Sequence, residues 1–158
     1  MSDDVKNVFI SHIHEDDALV PDLKDLLARN GLEVRDGSIT RSKENEASDP
    51  EYIKSQILAP RIQWASTLLV LISPETHTHW WVDWEIEYAV RQGKRIVGVW
   101  DRGAKDCDLP ASLERYGDAV VGWQADGIID AINGDSNNWY TPDGSEREAR
   151  PIPRYSCT

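Results

Sequence analysis

Residues 80–91, WWVDWEIEYAVR, set one carboxylate, Glu85, among large aromatics. On a helix Trp81, Glu85 and Tyr88 stand at i, i+4 and i+7, so the three share a face and two rings bracket the acid. Taking a lone carboxylate out of water is costly unless something compensates it. An acid held this way can stabilise positive charge that develops on a substrate beside it. The bland readings are a solvated glutamate favoured near a helix start, or one paired with Arg91 or Arg95, and spacing alone does not decide among them.

The stretch SHIHEDD, residues 11–17, is the other candidate. His12, His14 and Asp16 repeat the two-histidine-and-acid spacing with which zinc hydrolases collect metal. Such a site needs further ligands on later strands, and only His77 and His79 remain, so no metal is expected. Ser11 and His12 read instead as the end of a strand, with Asp16 or Asp17 capping the helix that follows. A phosphoacceptor domain would need an aspartate closing its third strand and a lysine closing its fourth. Here those ends read LIS, with Ser73, and GVW. Neither G-x-G-x-x-G, a P-loop nor a nucleophile-elbow serine occurs, and no cofactor is expected.

These residues must be positioned by one domain, since 158 residues is the usual size for a single core. The formal charge of −11 repels phosphate backbones, which argues against nucleic acid as a partner. No apolar run approaches the roughly 20 residues that span a membrane, and MSDDVKNVF is no secretory signal. Two distant cysteines, Cys107 and Cys157, fit a reducing cytoplasmic setting.

Short apolar runs alternate with amphipathic segments. Strands are expected over 5–11, 32–36, 66–73, 95–100 and 118–123. Helices are expected over 16–31, with Pro21 in its first turn and Gly31 ending it, over 50–65 with a break at Pro60, over 80–92 and over 125–133. The apolar stripe of helix 80–92 is Val82, Ile86, Ala89 and Val90. A polar loop occupies 36–50, and 101–117 reads as loop. Such alternation implies a flavodoxin-like three-layer sandwich, an α/β fold with a five-stranded parallel sheet over residues 1–134. A polar tail, 135–158, could pack on it through Trp139 and Tyr140. Ligands of these sheets bind beyond the carboxyl ends of the strands.

Four motifs in order add a resemblance. VFISH followed by Asp16 and Asp17, then LVLIS, then Trp81-x-x-x-Glu85, then Gly93-Lys-x-Ile-Val-x-Val99 resemble the TIR family, and more closely its bacterial TIR-like branch from antiphage defence. The resemblance covers roughly residues 5–123. It implies that Glu85 is the catalytic acid that cleaves NAD+ between nicotinamide and ribose, so NAD+ would be a substrate. It further implies that Trp81 and Tyr88 exclude water or stack on rings, and that Phe9, Ser11 and His12 lie at the nucleotide site. Core packing is the equal alternative for Phe9. The 36–50 loop corresponds to the BB loop, where Asp36, Ser38 and Asn45 could touch ribose or phosphate. Ser73 is either near the ribose or an ordinary strand-end serine. Thoeris relatives release a nucleotide second messenger to a separate effector, and self-association as a homo-oligomer is compatible with the family. The alternative function is a non-catalytic TIR-type interaction module.

Overall fold

The most apolar run of the chain, Thr67–Ile72, is buried at all six positions, as a strand covered on both faces must be. A computed structural model of the protein describes residues 4–13, 16, 18–36, 58–101 and 107–142. In it that run is β3, the centre of a five-stranded sheet ordered β2-β1-β3-β4-β5. The other strands are β1 (Asp4–Ser11), β2 (Leu32–Asp36), β4 (Arg95–Trp100) and β5 (Ala119–Val121). Every neighbouring pair is parallel, with Ser11 opposite Val70 and Ile72 opposite Trp100 at the carboxyl rim.

Helices cover both faces. Helix α1 (Leu19–Arg29) and helix α5 (Ala125–Asn133) lie on one, packing Leu23, Leu27 and Ile128 against Val8, Ile10, Leu69 and Val97. Helices α2 (Ala59–Trp64), α3 (Trp80–Arg91) and α4 (Ala111–Tyr116) lie on the other, where Ile62, Val82, Ile86 and Leu113 meet Phe9, Leu68, Val70 and Ile72. The connection leaving β1 therefore runs over the opposite face from the one leaving β3. Between those two strands the order of the chain reverses, and the carboxyl rim at such a point is where sheets of this kind take their ligands.

The flavodoxin-like three-layer sandwich expected from the pattern is the observed fold. Gly31 and Gly134, at φ +93° and +83°, take the left-handed turn that ends α1 and α5. Pro60 stands in the first turn of α2. Of the helix expected over 50–65, the stretch up to residue 57 lies outside the described residues. Two expectations are corrected. The stretch 101–117 is not all loop, because it contains α4, whose Ser112 backbone N–H donates to Asp83 Oδ1 at 3.1 Å. That cap comes from α3 and not from a neighbouring residue. Helix α1 takes Ala18 as its N-cap residue, two positions after Asp16, and Asp17 lies outside the described residues.

The segment after Gly134 docks on the free edge of β5. The N–H of Val120 donates to Asn138 O at 3.1 Å, and the N–H of Tyr140 donates to Val120 O at 2.8 Å. Trp139 packs into one apolar layer and Tyr140 into the other, so the two rings straddle the sheet edge. Arg95 donates to Ser136 O at 2.7 Å and to Asn137 Oδ1 at 2.8 Å, and the Trp100 indole donates to Tyr140 O at 2.8 Å. Trp139→Ala is expected to lower stability by about 2 kcal/mol, below the cost for a fully buried large aromatic because Trp139 is only half-buried. Urea denaturation reads this directly. A change within experimental error would mean that the segment is not docked in solution.

Candidate functional site

Glu85 sits in the middle of α3, one residue before Ile86 and three after Val82, both fully buried against the sheet. Its own side chain is 0% exposed. The hydroxyl of Ser11, also 0% exposed, donates to Glu85 Oε1 at 2.6 Å. That length is normal for a hydroxyl bound to a carboxylate. Ser11 is the last residue of β1 and α3 follows β3, so the bond ties the point where the two crossovers diverge. Glu85 is thus not a solvated surface charge. The arginines weighed as its partners are engaged elsewhere, Arg91 over the Tyr88 ring and Arg95 on the segment after α5.

The neighbours of Ser11 complete this corner. Phe9, two residues earlier on the same face of β1, is buried in the layer that contains Val82 and Ile86. His12 is buried, and its Nδ1 lies 2.9 Å from Ile10 O. A carbonyl only accepts, so Nδ1 carries the proton. The indole Nε1 of Trp81 reaches towards His12 O at 3.5 Å, and its ring lies 4.4 Å from that of His79. Trp81, Ser11, His12 and Glu85 therefore form one group at the carboxyl rim, with Phe9 beneath it.

Other expected residues fall elsewhere. Tyr88 turns away from that corner: its ring stacks on Trp84 at 5.2 Å and its hydroxyl accepts from Gln63 on α2. Ser73, just past β3, is buried and tied to Thr76, whose Oγ1 accepts from the Ser73 N–H at 2.9 Å and lies 3.0 Å from Ser73 Oγ. Asp36 closes β2, while Ser38 and Asn45 lie outside the described residues, as does His14.

One rim feature was not anticipated. Asp16 is buried and faces Asp101, the residue after β4. Burial first, and the Asp16 charge second, push the Asp101 carboxyl up from its ordinary 3.8 to about 6. Only the strand order brings the two together, since 85 positions separate them in sequence and no local pattern links them. Raised in the folded state, this carboxyl binds more protons there than in the unfolded chain between about pH 4 and 6. Stability therefore falls as pH rises through that window. Asp101→Asn is expected to leave stability at pH 4 unchanged and to raise it at pH 7. Allowing for solvent screening, the gain is about 1 kcal/mol, or about 3 °C in melting temperature. Calorimetric melts across that range check this, and parallel profiles for the two proteins would refute it.

Comparison with known proteins bears on the same elements. A family model described as "Thoeris protein ThsB, TIR-like domain" matches residues 9–106, more than half of the chain. The curated proteins contain no match. Among solved structures, a CMP N-glycosidase (BcmB) from Clostridium botulinum aligns with a TM-score of 0.43 at 19% identity, covering 83% of this chain and 100% of that one. A 3-dehydroquinate dehydratase-like protein from Bifidobacterium longum aligns at 0.43 and 12% identity, covering 85% and 94%. The TIR domain of the Toll-related receptor TRR-2 from Hydra magnipapillata aligns at 0.51 and 16% identity, covering 81% of this chain and 92% of that one. At that identity the likeness speaks for the fold, and the fold is that of a TIR domain. The matched span runs from the strand that carries Ser11 through the helix that carries Glu85 to the end of β4, and the chain belongs to the Thoeris ThsB TIR-like domain family.

Proposed function

We propose that this chain cleaves NAD+ at its nicotinamide–ribose bond, with Glu85 as the catalytic carboxylate, and that the ADP-ribosyl product serves as a signal in antiphage defence. The observation that carries the reading is an acid wholly buried in α3 and held from the end of β1, at the carboxyl rim where sheets of this order take their ligands.

The chemistry suits one carboxylate. Glycosidases commonly need an acid to protonate a poor leaving oxygen and a second carboxylate for the sugar. Nicotinamide bound to ribose already carries positive charge. When the C1′–N bond breaks, its electron pair returns to the ring nitrogen and nicotinamide leaves neutral, with no proton required. Positive charge passes to the ribosyl C1′ and its ring oxygen. A carboxylate beside that centre stabilises the charge as it develops, and does so more strongly where water is excluded. Trp81, half-buried beside the same strand end, would shield the site. Water as acceptor, losing one proton, gives ADP-ribose; a hydroxyl or adenine nitrogen of the same molecule gives a cyclic isomer.

Among the described residues no helix is long and apolar enough to cross a membrane, and a diffusible nucleotide product would need no anchor. NAD+ enters the reaction as substrate, and the proposed signal would reach a separate effector. Glu85→Gln keeps the size and an acceptor for Ser11 while removing the charge. It is expected to lower nicotinamide release from NAD+ by about 10²- to 10³-fold, the range for loss of one electrostatic stabiliser. Chromatography of purified protein with NAD+, and mass spectrometry of phage-infected cells expressing each form, provide the measurement. Equal release by the two proteins would remove Glu85 from the reaction and favour a non-catalytic interaction module.

A further inference from the structure

Glu85 cannot be reached by a substrate in the arrangement observed, because no part of it is exposed. The group that holds it is an alcohol. Ser11 is fixed by the ladder that sets it opposite Val70, and Glu85 is fixed by Val82 and Ile86 on either side of it in α3. Donor and acceptor are thus mounted on two packed elements, and the 2.6 Å bond between them is not a mobile surface contact. The other hydroxyls buried at this rim, Ser73 and Thr76, are engaged with each other, while that of Ser11 donates to Glu85 Oε1.

We propose that Ser11 is a latch on Glu85: in the resting protein its hydroxyl occupies the carboxylate as a ribose hydroxyl of the substrate would, and binding exchanges one for the other. This rests on the NAD+-cleaving reading above. The exchange is chemically even. A serine hydroxyl and a sugar hydroxyl each donate one hydrogen bond, so Glu85 Oε1 keeps a donor through the exchange, and a buried acceptor stripped of its donor is costly. The latch also accounts for a catalytic acid with no exposed surface. The Trp81 indole reaches His12 O, one residue from Ser11, so this contact lies beside the bond that the substrate must exchange. Ser11 is on this view a positioning residue that substrate competes with, and not a contact that it gains.

Two measurements test the latch. The first needs no substrate. Ser11→Ala is expected to lower the melting temperature by several degrees in the wild-type background and by little in Glu85→Met, which carries no carboxylate to orphan. Additive effects would overturn the proposal. The second uses carbocyclic NAD+, whose ring oxygen is replaced by methylene so that the glycosidic bond survives. Ser11→Ala is expected to bind it about tenfold more tightly by calorimetry, the size of one hydrogen bond to a charged group. For NAD+ itself KM should fall to match, with kcat changed less than about threefold. Should Ser11→Ala not fold, Ser11→Cys, similar in size but a far weaker donor, is read the same way. Affinity unchanged or weakened while wild type still cleaves NAD+ would overturn the latch and leave the reaction standing. No binding of the analogue by either protein, together with no nicotinamide release from NAD+, would overturn both.

Discussion

A carboxylate withdrawn from water must be compensated where it sits, and in this protein a donor to it comes from a strand 74 positions away. Ser11 reaches Glu85 only if β1 lies beside β3 and α3 crosses back over the face that carries Phe9. The strand order, the two opposed crossovers and the burial of α3 are thus all preconditions of one hydrogen bond. Its return in stability is poor. A bond to a charged group contributes on the order of 1.5–3 kcal/mol, while burying the ion costs several, and a leucine at 85 would pack between Val82 and Ile86 without either. Sites that sacrifice stability in this way are more often kept for chemistry than for folding.

The sheet shows how rigid a mount that bond has. Its central strand is buried throughout, two apolar layers sandwich it, and β5 does not end as an open edge. Unpaired edges invite association with other chains. Here Asn138–Tyr140 pair with Val120, and the rings of Trp139 and Tyr140 grip the edge from both sides. The Trp100 indole, at the rim end of β4, is anchored to the same segment. A tail that is polar in composition is therefore part of the packed structure as far as Pro142, through three aromatic residues and one arginine.

What was legible in the sequence was whatever repeats with a period. Continuous apolar runs marked β3 and β4, the leucines of α1 and the Val82–Ile86–Ala89 stripe of α3 marked those helices, and glycines marked their ends. Helix α4 escaped because it is only six residues long and is capped by Asp83 from α3. The same limit applied to the site. Glu85 stood out by the company it keeps, and Ser11 and His12 by their place at a strand end, but the bond between them is a property of topology. Helical spacing put Tyr88 on the face of Glu85, whereas packing against α2 turned it to Trp84 and Gln63. The raised carboxyl of Asp101 arises from a neighbour on another loop, which periodicity cannot register.

The same burial that makes Glu85 costly to keep makes it effective under the proposed reaction. Charge interactions weaken with dielectric, so an exposed carboxylate would do little for a ribosyl cation that water already solvates. Wholly buried, it would act at close range and need no rearrangement of solvent as the bond breaks. Sealing also sets the obstacle: an acid strong enough in its field to assist the reaction must be satisfied by something when no substrate is bound. A fixed alcohol from the neighbouring strand meets that requirement with the functional group the substrate brings. The closed state and the reactive one then differ in which hydroxyl is bound, while the carboxylate stays where the fold has put it.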